Sequence, residues 1–364
     1  MPPPRSANPD EPTDREGPAD VREGVGGEPQ PETESDAAEQ PHDALFKAVF
    51  SEPANAKGEL VSLLPGSIVD ALDLDSIEPV PASFVDEALR QAHSDLLLRA
   101  PLRDAGEAFV YVLFEHRSTP DPLMPWRLLR YMVRIWERWL AARPQARRLP
   151  AILPIVLYHG ARPWTAPRSL TELIDLAPDL VAAGKSWLPD FRLLIDDLAA
   201  IPEADLADRP LPPFGQGALL LLQAAPRAAR DPGAFVEMIG REAHVFRRLT
   251  ADPADRERLV RLLRYTLSVS EVSPHALARA LEALAGRSVA EQVMTTAERL
   301  RIEGRAEGSR AIARQVLTAR FGALPAQLEA RLNAMDADAV AALTARALRA
   351  ASLDESFGPP AEVP

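Results

Sequence analysis

An apolar strand, a long amphipathic helix and a second apolar strand follow one another in the middle of this chain, and that succession leaves few folds open. "EAFVYVLFEHRS" (residues 107–118) is apolar on both alternating faces, the pattern of an interior strand. "PLMPWRLLRYMVRIWERWLAAR" (residues 122–143) carries apolar residues at helical spacing, opens on proline and stops before Pro144. "LPAILPIVLYHG" (residues 149–160) is a second covered strand. Strand, helix and strand in that order require a right-handed crossover between parallel neighbours. Upstream, "SDLLLRAPL" (residues 94–102) is joined to the first strand by the polar turn "RDAG", the signature of an antiparallel hairpin. "FRLLIDDL" (residues 191–198) supplies a further strand, and "ASFVDEAL" (residues 82–89) a weak one. The expected fold is therefore α/β with a mixed sheet flanked by helices.

The flanks read differently. Residues 1–41 are rich in Pro, Gly and acidic side chains, too polar to offset their ordering entropy, and are expected to be disordered. "HDALFKAVFS", from residue 42, starts an apolar helical pattern, with Asp43 placed to cap it. The α/β unit is expected over residues 42–200 and a helical region over 201–288, in which "PGAFVEMIGREAHVFRRL" is one helix. A long charged helix opens the tail at 289–352 and ends at Gly322; residues 353–364 are expected to be disordered. Gly304 and Gly308 lie inside that helix, where each costs about 1 kcal/mol relative to Ala; they mark either a close helix–helix contact or a tolerated irregularity. A homo-oligomer through this helix is the expectation for self-association.

Charge says little about partners at first. The net charge is −12, but residues 1–41 hold eleven Asp and Glu against Arg5, Arg15 and Arg22, so only −4 belongs to the rest. A body so near neutrality can present a basic face to a polyanion. Arg127, Arg130, Arg134 and Arg138 lie within an arc of about 80° on the central helix, either a phosphate-tracking stripe or a solvated face. With no cysteine, disulfides and thiol chemistry are excluded, and a metal would need oxygen or imidazole ligands. No secretory signal or membrane-length apolar run is present, so a cytoplasmic protein is expected.

The candidate chemistry sits at the end of the hairpin. Alternation places Glu115 and Arg117 on one face, with His116 on the other, where a structural role suits it. A turn centred near residues 104–106 pairs residues whose numbers sum to about 210, which sets Asp95 opposite Glu115. Two facing carboxylates repel unless a cation joins them, and hard oxygen ligands favour Mg²⁺, with Mn²⁺ or Ca²⁺ as alternatives. The structural alternative is an ion pair of Asp95, Glu115 and Arg117 at a strand end. Glu59 is either a third acid for the site or a residue on a solvated helix face. Asp196 and Asp197 are expected to end a strand. The six histidines, His42, His93, His116, His159, His244 and His275, show no ligand-like spacing.

The runs "HDALFKAVFS", "SFVDEALRQAHSDLLLR", "FVYVLFEHRSTPDPLMPWRLLRYM" and "LPAILPIVLYHG", in that order, resemble the Rpn recombination-promoting nucleases. That family, also known as YhgA-like transposases, belongs to the PD-(D/E)XK nuclease superfamily. The likeness runs from about residue 42 to 197, and "AERLRIEGRAEGSR" with "LTARFG" resembles the family's tail. It implies a restriction-endonuclease-like core, Mg²⁺-dependent cleavage of DNA, and a role in recombination or mobile elements. Asp95 and Glu115 match the metal-binding positions, and Arg117 would support the transition state. The departure is Arg117 itself, since the family has Gln and the superfamily Lys there. Arginine cannot act as a base. The resemblance thus leaves two expectations, an active nuclease or a weakened member that binds DNA or protein.

Overall fold

The computed structural model describes residues 34–80, 96–103 and 109–357. The chain divides into two units, residues 1–37 and Ala38–Pro364, and the second carries the features below. Helix α1 (Glu34–Phe50) opens earlier than the pattern from residue 42 suggested. Asp43 is consequently inside a helix rather than at its cap, and its carboxylate pairs with Lys47 one turn on, at 2.9 Å. Helices α2 (Pro53–Leu63) and α3 (Gly66–Ala71) follow.

Among the described residues, five strands form one sheet in sequential order: β1 (Glu78–Pro79), β2 (Leu96–Pro101), β3 (Phe109–Arg117), β4 (Ala151–Tyr158) and β5 (Leu194–Asp197). β1, a short edge strand, pairs antiparallel with β2, and β2 pairs antiparallel with β3. The β2–β3 partners run from Pro101↔Phe109 to Leu96↔Phe114, and every pair sums to 210. From β3 the chain crosses over helix α4 (Met124–Ala142) into β4, parallel as the strand–helix–strand pattern requires. β5 joins β4 in parallel after the short helix α5 (Pro178–Gly184). The expected strand at residues 82–89 and most of the "RDAG" turn lie outside the described residues.

Each sheet face covers its own core, because β3 alternates apolar residues on both sides. Val112 and Phe114 pack with Phe46 and Phe50 of α1; the Phe114 ring lies 4.9 Å and 5.0 Å from theirs. The other face buries Leu97, Ile152 and Val156 beneath Leu128, Met132 and Ile135 of α4. Burial of such side chains contributes roughly 1.5–3 kcal/mol each.

After β5 comes a succession of helices: α6 (Glu203–Ala207), α7 (Pro213–Ala228), α8 (Ala234–Arg241), α9 (Ala243–Ala251), α10 (Arg256–Val269) and α11 (Pro274–Ala285). The segment expected as one helix over residues 232–249 is two, because the backbone at Glu242 (φ −98°, ψ 34°) leaves the helical region. Helix α12 (Arg287–Phe321) is continuous and stops at Gly322, whose φ of 83° glycine adopts without strain. A Cβ built on Gly304 or Gly308 would meet nothing within 4 Å, so neither glycine marks a close contact in this fold. Helices α13 (Ala326–Asn333), α14 (Ala337–Ala347) and α15 (Leu353–Phe357) close a small core of Leu317, Leu332, Leu343 and Phe357. That buried Phe357 orders part of the segment expected to be a disordered tail. No helix among the described residues is long and apolar enough to cross a membrane.

Candidate functional site

The parallel strands β3, β4 and β5 end together, and their last residues form rows across the sheet. His116 pairs with Leu157 and Leu157 with Asp196; Arg117 pairs with Tyr158 and Tyr158 with Asp197. The edge is knitted further by the His159 amide, which donates to the Arg117 carbonyl at 3.1 Å. Glu115 is described by its backbone, opposite Val156. Asp95 lies outside the described residues; the β2–β3 register ends one pair before it. Arg117 is half-buried at the strand end.

On the face toward α1, three histidines from distant parts of the chain converge. The His159 ring stacks on His116 at 4.6 Å with 12° between planes, and lies 4.6 Å from His42. Phe46 stacks on His116 at 5.4 Å, and His42 Nδ1 meets the Tyr265 hydroxyl of α10 at 2.8 Å. Burial keeps all three imidazoles neutral. It lowers His42 to about 4. It lowers His159 to about 3, with His42 adding to the effect and the Leu222 carbonyl opposing it. His116 falls well below its usual value through burial, then through His159, His42, Arg117 and Lys47. Three of the four motif runs quoted above carry one of these histidines each, which is the signal that spacing along the chain could not reveal.

The same sheet face holds a second buried polar group. Arg209 donates to Asp196 Oδ1 and Oδ2 at 2.7 and 2.9 Å, and to Glu59 Oε1 at 2.8 Å. Glu59 is fully buried, contrary to its reading as a solvated helix residue, and meets Arg209 of the loop after α6 and Asp196 of β5. Burial first, then the neighbouring Asp196 charge, raises its carboxyl well above the usual range, against the pull of Arg209. Burial works against the Arg209 charge, but its bonds to Asp196 and the two carboxylate charges outweigh this and raise it. Asp197 belongs to the opposite side, accepting from the Trp164 amide at 2.7 Å.

Could these groups hold a metal? Among the described residues no set of three His, Asp or Glu side chains could do so. The imidazoles lie ring against ring, and the Glu59–Asp196 carboxylates are already bound by Arg209. On α4, Arg127 is bound to Asp121 at 3.2 Å, Arg130 is exposed, and Arg134 and Arg138 are half-buried.

A family model described as "Putative transposase, YhgA-like" matches residues 40–248, more than half of the chain. The chain belongs to this family. Its similar relatives carry nuclease names. Recombination-promoting nuclease RpnD of Escherichia coli O157:H7 is 37% identical over 46% of this chain, a stretch that covers 62% of RpnD, just under two thirds. Recombination-promoting nuclease RpnA of Escherichia coli K12 is 30% identical over 72% of this chain and 84% of RpnA. A K12 relative of similar reach, at 29% identity over 72% of this chain and 82% of its own length, is an inactive recombination-promoting nuclease-like protein, RpnE. No solved structure matches. For a YhgA-like chain the mixed sheet and helical C-terminal half are thus described directly by this fold, and the family includes both active and inactive names.

Proposed function

We propose that this YhgA-like protein is a metal-dependent DNA endonuclease acting in recombination or mobile-element processes, with Asp95 and Glu115 as the metal-binding pair. The observation that supports the proposal is the hairpin register, whose described pairs all sum to 210; the same sum carried one step further would set Asp95 opposite Glu115. Hard oxygen donors on neighbouring strands suit Mg²⁺ or Mn²⁺. When bound, the ion would supply an acidified water and neutralise charge on the phosphate. Arg117, held through its carbonyl by the His159 amide, would offer its guanidinium to a phosphate oxygen. Arg134 and Arg138 on α4 would meet the DNA backbone.

Plasmid nicking in Mg²⁺ or Mn²⁺ tests this. Asp95→Ala and Glu115→Ala are expected to lower the rate by at least about 100-fold, on the order of the loss of a principal electrostatic group. Cleavage that survives either change would remove the residue from the site. The relative named as inactive favours one rival, a weakened enzyme that still binds DNA. Under that reading wild type binds without cutting, and Arg117→Gln, which restores the family residue, raises the rate.

A further inference from the structure

Helix α4 turns one apolar face inward, as a crossover helix must, yet it keeps a second apolar line on its outer side. Trp126, Val133 and Leu140 are 49%, 41% and 43% exposed, unusually open for large hydrophobic side chains. They are seven residues apart, so at about 100° per residue they drift by only about 40° along the helix. That heptad spacing is the pattern of a helix awaiting another helix. Half-buried Leu129 and Trp136 flank the line.

The charges beside the line say what covers it. Arg130 and Glu137 each lie four residues beyond a member of the line, on the same flank, and both are exposed. Neither forms an ion pair among the described residues. The opposite flank, Pro125, Met132 and Trp139, is uncharged and turned toward the protein's own core, with Pro125 and Met132 buried. In a parallel pair of such helices unlike flanks meet, so Arg130 and Glu137 would be set against a flank that is uncharged and already covered. In an antiparallel pair each flank meets itself reversed, and Arg130 then faces Glu137 of the partner subunit twice over. Charge complementarity therefore selects a second copy of this chain, running antiparallel, over a parallel copy.

We infer that the protein forms a two-fold homodimer through the outer face of α4, with the axis close to Val133 and two reciprocal Arg130–Glu137 pairs. The interface is isologous and closed, as a two-fold dimer requires. It leaves Arg134 and Arg138 on the side away from the seam. It does not depend on the nuclease reading.

Light scattering of the full chain through the micromolar range gives the mass. The expected value is twice 39.6 kDa, and Val133→Asp is expected to give a monomer with unchanged helical circular dichroism. Arg130→Glu and Glu137→Arg should each weaken dimerisation at least about tenfold, while the double swap restores it to within about threefold. A monomeric wild type would overturn the inference. So would a dimer indifferent to Val133→Asp, which would place self-association elsewhere, or a double swap no better than the single ones.

Discussion

Arg209→Ala is expected to remove about 3–5 kcal/mol of folding stability, because it strips the cation from a buried pair of carboxylates. The Arg209 side chain is 9% exposed, and those of Glu59 and Asp196 are 0% and 1%. None of the three can recover its hydration, and the lost bonds include the bidentate grip on Asp196. Arg209→Lys should recover only part of the loss, since an ammonium cannot reproduce the fork that reaches both carboxylates. Glu59→Gln should cost far less than either. Burial and Asp196 already hold the Glu59 carboxyl toward its neutral form, which the amide imitates. The cost of Arg209→Ala should also shrink in acid, where the Glu59 carboxyl, already pushed upward by burial, takes up a proton. Urea unfolding at neutral pH measures all three variants. A loss below about 1 kcal/mol for Arg209→Ala would mean that water enters and solvates the pair.

Local pattern reached the sheet more fully than it reached this network. The hairpin register, the parallel crossover over α4 and the strand at residues 194–197 all follow from period-two and helical spacing within short windows. Glu59 does not: its burial depends on Arg209, 150 positions away, and α2 shows little amphipathic pattern to place it. The histidines failed for the same reason. His42, His116 and His159 meet only because α1 crosses the ends of β3 and β4, a tertiary fact that ligand spacing cannot encode. Asp43 misled because proline at position 41 and acidic residues before it looked like a helix boundary, whereas the helix runs through them from Glu34. Next to the candidate site, the strand register was legible as far as Leu96↔Phe114, and the Arg127 charge was not, since its neutralisation by Asp121 is a loop contact before the helix.

The imidazole cluster makes stability depend on pH in a direction that can be fixed in advance. His42 and His159 have folded-state values of about 4 and about 3, against about 6.5 when unfolded. Between about pH 6.5 and pH 4 the unfolded chain therefore binds protons that the folded chain refuses. Stability falls as the pH falls through that window, by about 1.4 kcal/mol per pH unit for each group fully within it. The surroundings reinforce the sign. Lys47 on α1 and Arg117 on β3 add positive charge near His116, and the Tyr265 hydroxyl on α10 is itself held neutral by burial. Carboxylates contribute to the same slope, so the decisive quantity is a difference between proteins. His159→Gln and His42→Gln will each lower stability at pH 7 by losing ring contacts, but each should flatten the decline in urea midpoint between pH 6.5 and pH 4.5. The double variant should flatten it most. If the variants instead run parallel to wild type, the histidines are hydrated in the folded chain and the cluster is not closed to water.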